Sequence, residues 1–387
     1  MIFVALVLLV GFVLARLALA TSLGGFLVAA DDFVDPARTP DRLPVTTESG
    51  GYDGQFVYRL ALEPWTGERT AYGITLDNPA YRQQRIATPL LAWAVALLPG
   101  VSTVLALLLV NLAALVVAAF FGSRLAVAVG RHPLAGLVLA LPAGMPISLG
   151  RHLTEPVAWA AVLAGLWYAR RRRWALAAAA LTVAVLGRET SLVVVAGLAA
   201  GELWRLVSRR RGRVADRWAG PAGSRWALAW LALPATVAVA WQLVLLQVWG
   251  VLPVRSGGPN FGGWPVLGVF GTLAADVPGP AVLTLVVTAE RVGVLALFGY
   301  AGWALAARRA RVTVGEAVAW ALAVALALAV SGWSSDVQFL RAANEGLGLS
   351  VLVALADRGS RPSTGRWALL LAAAMTCGVA LEYAVRQ

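Results

Sequence analysis

The feature that most constrains this chain is a series of apolar runs. Residues 2–29, 101–121, 174–187, 226–249, 291–307, 314–332 and 367–381 are apolar over most of their length. Several approach the roughly 20 residues that a helix needs to cross a bilayer. Charged residues make up only 13% of the sequence, against about 25% in an average soluble domain. In lipid, water cannot satisfy backbone N–H and C=O groups, so helices that satisfy them internally are the expected solution. The runs therefore predict an all-α polytopic membrane protein forming a single integral membrane domain over residues 1–387.

The first run ends near "ALA" at 18–20, a pattern resembling a leader cleavage site. The n-region at its start has no positive charge, and the apolar stretch continues to Ala30, so it reads as a first span. Segment 31–86 then carries nine acids against six arginines, whereas 205–225 carries seven arginines against one acid. The arginine runs at 170–173 and 308–311 and the 357–366 segment are also basic. Because basic loops stay cytoplasmic, 31–86 is expected outside. The remaining spans are expected at 101–123, 133–149, 153–169, 173–189, 190–204, 226–249, about 285–307, 314–332, 340–356 and 367–385. This gives about eleven crossings, with the N-terminus inside. The stretch 87–98 is too short to cross and reads as re-entrant.

The net charge of +12 does not point to nucleic acid, since the arginines lie in short loops and no basic soluble domain exists to carry such binding. One cysteine, Cys377, excludes an internal disulfide and a cysteine metal cluster. His132 and His152 have no neighbour at metal-ligand spacing. Lysine is absent, which fits a GC-rich genome. The tryptophans at 174, 204, 226, 249 and 367 flank spans as interfacial anchors. Trp65 and Trp264 fall in external loops.

Four charged interruptions are not spent on cytoplasmic loops: "SLGRHLTEP" at 148–156, "GRET" at 187–190, "AER" at 289–291 and "SSDVQFLRAANE" at 334–345. All fall at the external ends of spans, on the face that carries the acidic loop. Ionisable groups at membrane depth are costly and mark function.

The loop itself contains "GGYDGQFVYRLA" at 50–61. Tyr52, Asp53, Gly54, Gln55, Phe56, Leu60 and Ala61 resemble a pattern of the GT-C class of membrane glycosyltransferases, which use polyprenyl-phosphate sugars. Val57 stands where that pattern has a second aromatic, with Tyr58 one place later. The loop's place after an outward first span is similar too, as are "LDNPAYRQQRIATPLLAW" (76–93), "LTEP" and "GRET", which look like a bacterial, mannosyltransferase-like branch. The resemblance covers roughly the first half of the chain.

It implies sugar transfer from a polyprenyl-phosphate donor to a glycan, lipid or protein acceptor of the cell envelope, at the external face of the plasma membrane. Such transfer needs a carboxylate within reach of the acceptor hydroxyl, and Asp53 is the candidate. The plain alternative is an Asp-Gly turn, and Asp31 and Asp32 at the membrane face are rivals. Arginine forks suit the leaving phosphate, so Arg82, Arg85, Arg151, Arg188 and Arg341 are expected to bind substrate with Tyr52, Gln55 and Asp32. Glu189 beside Arg188, and Glu345 four residues after Arg341, are expected to orient those arginines; Glu155 pairs similarly or caps a span. A divalent metal stays open, with Asp53 and Asp31, Asp32 or Glu155 as oxygen ligands. Two other classes also stay open: a transporter or flippase of a lipid-linked intermediate, and a non-catalytic assembly protein of the cell envelope.

Overall fold

The computed structural model of the chain describes residues 1–20, 22–47, 51–210, 225–256, 269, 272, 281–329, 333, 338–358 and 362–385. Helix α1 (Ile2–Ala20) is the first apolar run, but it stops well before residue 29. Gly24 and Gly25 lie against Pro44 and the Ala20 carbonyl so closely that a Cβ on either would come within 2.8 Å. The chain turns there into a 3-10 segment, Leu23–Leu27, whose first turn is capped by Ser22. Strand β1 (Ala29–Ala30) follows and pairs in parallel with β2 (Val45–Thr46).

Segment 31–86 is a folded cap. Helix α2 (Asp53–Leu62) runs through it, buried along most of its length. Tyr72 and Gly73, both at positive φ (52° and 72°), turn the hairpin of β3 (Thr70–Ala71) and β4 (Ile74–Thr75), the geometry of a type I′ turn. Arg59 is fully buried yet satisfied in part by Glu63 at 3.1 Å and Thr66 at 2.9 Å, under the ring of Tyr72. Helices α3 (Pro79–Gln83) and α4 (Ala87–Ala96) close the cap. Ten residues of helix rise about 15 Å, so α4 is too short to cross, as its sequence predicts.

The membrane helices begin again with α5 (Thr103–Ala128). The expected span at 133–149 is broken into a 3-10 turn (Pro133–Ala135), α6 (Gly136–Ala140) and α7 (Met145–Leu149). Pro133, Pro142 and Pro146 remove helix donors there, and Gly122 and Gly136 let α5 and α6 touch backbone to backbone. Then come α8 (Glu155–Arg170), α9 (Trp174–Gly187), α10 (Leu192–Arg210), α11 (Arg225–Trp249) and the short α12 (Pro253–Ser256). They are followed by α13 (Ala281–Ala306), α14 (Val314–Ala329), α15 (Gln338–Ala342), α16 (Asn344–Ala356) and α17 (Pro362–Val385).

The protein is thus a mostly helical membrane protein. By length and composition, five helices can cross a bilayer: Ile2–Ala20, Thr103–Ala128, Glu189–Ser208, Arg225–Trp249 and Thr284–Ala306. The expected span at 340–356 is divided at Ala343, and all thirteen residues of α16 are buried in protein. Most of the 205–225 and 250–280 loops, including Trp264, lies outside the described residues.

Helices in lipid gain little from hydrophobicity against one another and associate through close packing of small residues. Helices α10 and α14 show this directly. A Cβ on Gly197 would meet the Ala319 backbone at 2.5 Å, and one on Gly201 would meet Gly315 at 2.6 Å. The paired small residues are four apart on both helices, so one face of each is smooth.

Candidate functional site

Asp53 is the first residue of α2 and lies in its first turn, where the helix dipole favours a negative charge. The Asp-Gly pair therefore starts a helix and not a simple turn. Gly54 has its own reason to lack a side chain. A Cβ there would sit 2.3 Å from the Arg151 carbonyl, so only glycine lets α2 dock against the 150–154 connection.

Two arginines grip the two oxygens of Asp53. Arg82 Nη1 donates to Oδ1 at 2.6 Å, and Arg341 Nη2 donates to Oδ2 at 3.1 Å. The carboxylate remains 27% exposed and faces a cleft lined also by Phe56, Arg85, Leu153 and Thr154. Burial acts to raise the Asp53 carboxyl, but the guanidiniums of Arg341, Arg82 and Arg85 outweigh it and hold the group well below the usual carboxylate range.

Each arginine is anchored a second time. Asp77 takes two hydrogen bonds from Arg82, at 2.8 and 2.6 Å. Arg85 forks onto Glu189 at 2.9 and 2.6 Å and also donates to the Tyr81 hydroxyl at 2.8 Å. Burial works against the charge of Arg85, and Glu189 restores it, so this guanidinium stays charged. Arg341 donates to the Tyr52 hydroxyl at 2.8 Å, and its Nε and Nη2 both reach one oxygen of Glu155, at 2.9 and 2.7 Å. Arg188 donates to that same oxygen at 2.8 Å and to Thr190 at 3.0 Å, and Thr190 in turn donates to Glu345 at 2.6 Å. Arg151 lies 3.9 Å over the ring of Tyr52.

Six of the expected residues therefore converge around Asp53: Tyr52, Arg82, Arg85, Arg151, Arg188 and Arg341. Two do not. Gln55 is fully buried, and its side-chain oxygen accepts from the backbone of Ala30 at 3.0 Å, tying α2 to β1. Asp32, like Asp31, is exposed in the turn after β1 and does not line the cleft.

The expected pairings also change partners. Glu189 holds Arg85 and not its neighbour Arg188. Glu345 meets Arg188 and Thr190, because the helix break at Ala343 turns it away from Arg341. Asp77, Tyr81 and Thr190 are additions; only the Asn78 cap and Pro79 that start α3 hinted that Asp77 and Arg82 would be brought together. The "RQQR" motif has a further use. Gln83 and Gln84 receive hydrogen bonds from Trp241, Trp249 and Gln242, clamping α11 beside the site.

The donor set does not fit a divalent ion. Among the described residues, no three His, Cys, Asp or Glu side chains gather to hold a metal. Asp53 and Glu155 are already shared between guanidiniums.

Beside Arg85 the surface changes character. Glu189 and Tyr81 form the polar edge of an apolar groove whose walls include Leu186, Val193, Ala238, Val239 and Leu326. No protein-family model matches this chain, and no curated protein is significantly similar to it in sequence. The arrangement can do three things chemically: bind an anion through Arg82, Arg85 and Arg341, accept a proton at Asp53, and hold an apolar chain next to both.

Proposed function

We propose that the protein is a membrane glycosyltransferase that moves a sugar from a polyprenyl-phosphate donor to a cell-envelope acceptor, with Asp53 as general base. One observation carries the reading: a half-open carboxylate is held by arginines at the edge of an apolar groove. The acceptor oxygen attacks the anomeric carbon, the bond from that carbon to the phosphate oxygen breaks, and the acceptor proton passes to Asp53. The departing polyprenyl phosphate keeps the bonding electrons, and its charge falls to Arg85 and Arg341. The groove beside Glu189 suits the prenyl chain.

The low proton affinity of Asp53 is a property of the resting cluster. Phosphate oxygens compete with Asp53 for Arg82 and Arg341, so an arriving donor draws the guanidiniums away. Asp53 then becomes a better base when substrate is bound. Placing this chemistry on the external face follows from the acidic balance of 31–86 and the basic loops at the opposite helix ends.

The test is transfer from a synthetic short-chain polyprenyl-phosphate sugar by the purified protein. Turnover that Asp53→Asn abolishes in a folded protein supports the reading. Full activity in that variant sinks the role of Asp53.

A transporter or flippase of a lipid-linked intermediate is the second reading. It is favoured by the charged cavity at the other ends of α8, α10 and α14, which contains Arg170, Glu202 and Glu316. Single-cysteine labelling separates the two. In a Cys377→Ser background, accessibility of Arg151→Cys that switches sides with substrate supports transport.

A further inference from the structure

That second cavity has a chemistry of its own. Its lining brings together Arg170 from the end of α8, Arg171 and Arg172 from the α8–α9 connection, Glu202 and Arg205 from α10, and Glu316 from the first turn of α14. We propose that it binds an anionic phosphate group, carried either by a membrane lipid headgroup or by a soluble phosphate compound.

Charge is the first argument. Four arginines face two glutamates, and each glutamate is paired with one arginine, Glu202 through a single oxygen. Glu316 takes Arg170 with both oxygens, at 2.5 and 2.9 Å, and also accepts from the backbone of Thr313 at 2.7 Å. Glu202 is paired with Arg205. The lining therefore carries a net positive charge at the end of a helix bundle, where an excess of one sign is costly. An anion seated there offsets it, and basic pockets between membrane helices are a known form of headgroup recognition.

Shape is the second. The cavity encloses about 980 Å³ including its mouth. Gly201 and Gly315, where α10 and α14 touch backbone to backbone, form part of its wall. Arg172 adopts a left-handed backbone (φ 58°), which makes the connection between α8 and α9 tight enough for three consecutive arginines to share one cavity. Leu166 and Leu198 make its wall apolar in part. A charged site with an apolar wall suits a phosphate attached to an apolar body.

The site is separate from the Asp53 cluster. Glu155 and Arg170 begin and end the same sixteen-residue helix, about 22 Å apart along its axis. The proposal therefore stands or falls independently of glycosyl transfer.

The experiment is thermal unfolding of the full chain in neutral detergent with added phosphatidylglycerol, phosphatidylcholine or inorganic phosphate. It compares wild type with Arg171→Gln/Arg172→Gln, and with Arg308→Gln/Arg311→Gln, a charge-matched control at exposed arginines of the same end. Phosphatidylglycerol is expected to raise Tm by about 2 °C or more over phosphatidylcholine in wild type and control. The shift should vanish in the cavity variant. A rise with phosphatidylglycerol alone identifies a lipid headgroup, and an equal rise with inorganic phosphate identifies a soluble phosphate. No rise with either, or equal loss in both variants, overturns the proposal. Should the cavity variant fail to fold, photo-crosslinking of wild type with a diazirine phosphatidylglycerol decides: adducts within 166–174 and 198–205 support the site, and adducts spread evenly over the basic loops overturn it.

Discussion

Arg341 donates a hydrogen bond to Asp53 at 3.1 Å across 288 residues of sequence. This contact joins the cap that follows the first span to a short helix near the end of the chain, and Glu155 braces it from the middle of the sequence. Three distant segments thus meet at one carboxylate.

Asp53→Asn keeps the size of the side chain and its ability to accept from one arginine, but cannot take a proton. Transfer is expected to fall by about 10²-fold or more, with helicity by circular dichroism unchanged. A reduction in KM alone would contradict the general-base role.

Arg341→Lys retains charge and loses the fork that spans Tyr52, Asp53 and Glu155. Activity is expected to drop at least about tenfold, since a point charge cannot replace a planar bidentate donor. Arg341→Ala goes further, leaving Asp53 to Arg82 and Glu155 to Arg188 alone, and should also lower stability, by less than the about 3–5 kcal/mol of a buried pair broken outright. A transfer assay of Arg341→Lys checks the first expectation, and chemical denaturation of Arg341→Ala checks the second.

The pH dependence has a defined sign. The folded Asp53 holds its proton less tightly than the unfolded chain does, whose Asp pKa is about 3.9. Its stabilising contribution is therefore fully present above about pH 4 and is lost as pH falls through the lower folded value. Tm measured from pH 2 to pH 7 should decline at the acid end, less steeply in Asp53→Asn. An equal slope in both proteins would mean that other carboxylates set acid stability.

Gly201→Val puts a branched side chain at a crossing where even a Cβ would come within 2.6 Å of the Gly315 backbone. Overpacking at such a crossing costs about 1–3 kcal/mol, and Tm should fall accordingly. Transfer by the protein that remains folded should be little changed, because the crossing lies midway along α10, about 20 Å of helix beyond Arg188.

The apolar runs made the helical class readable, because composition alone rules out a water-exposed fold. The gathering of Asp53 with five arginines was also readable in outline, since all were charges not spent on the loops expected to be cytoplasmic. Partner choice was not. Which glutamate holds which arginine depends on where helices break, and the break at Ala343 carries no proline or glycine to announce it. The broken stretch at 133–149 was visible in Pro133, Pro142 and Pro146, but strong hydropathy masked that signal. Gln55 and Asp32 were misassigned because neighbourhood in sequence says nothing about which face of a cap a side chain takes.

The wholly enclosed helix α16 sets an order of assembly. Thirteen residues are too few to be recognised as a span in their own right, so α16 has no stable home until α13, α14 and α17 surround it. Synthesis delivers those segments last. A ribosome-bound chain lacking its final helix would already carry Asp53, Glu155 and Arg188 without a settled Arg341. The Asp53 cluster is consequently a late product of biogenesis, complete only once α17 has packed against α16.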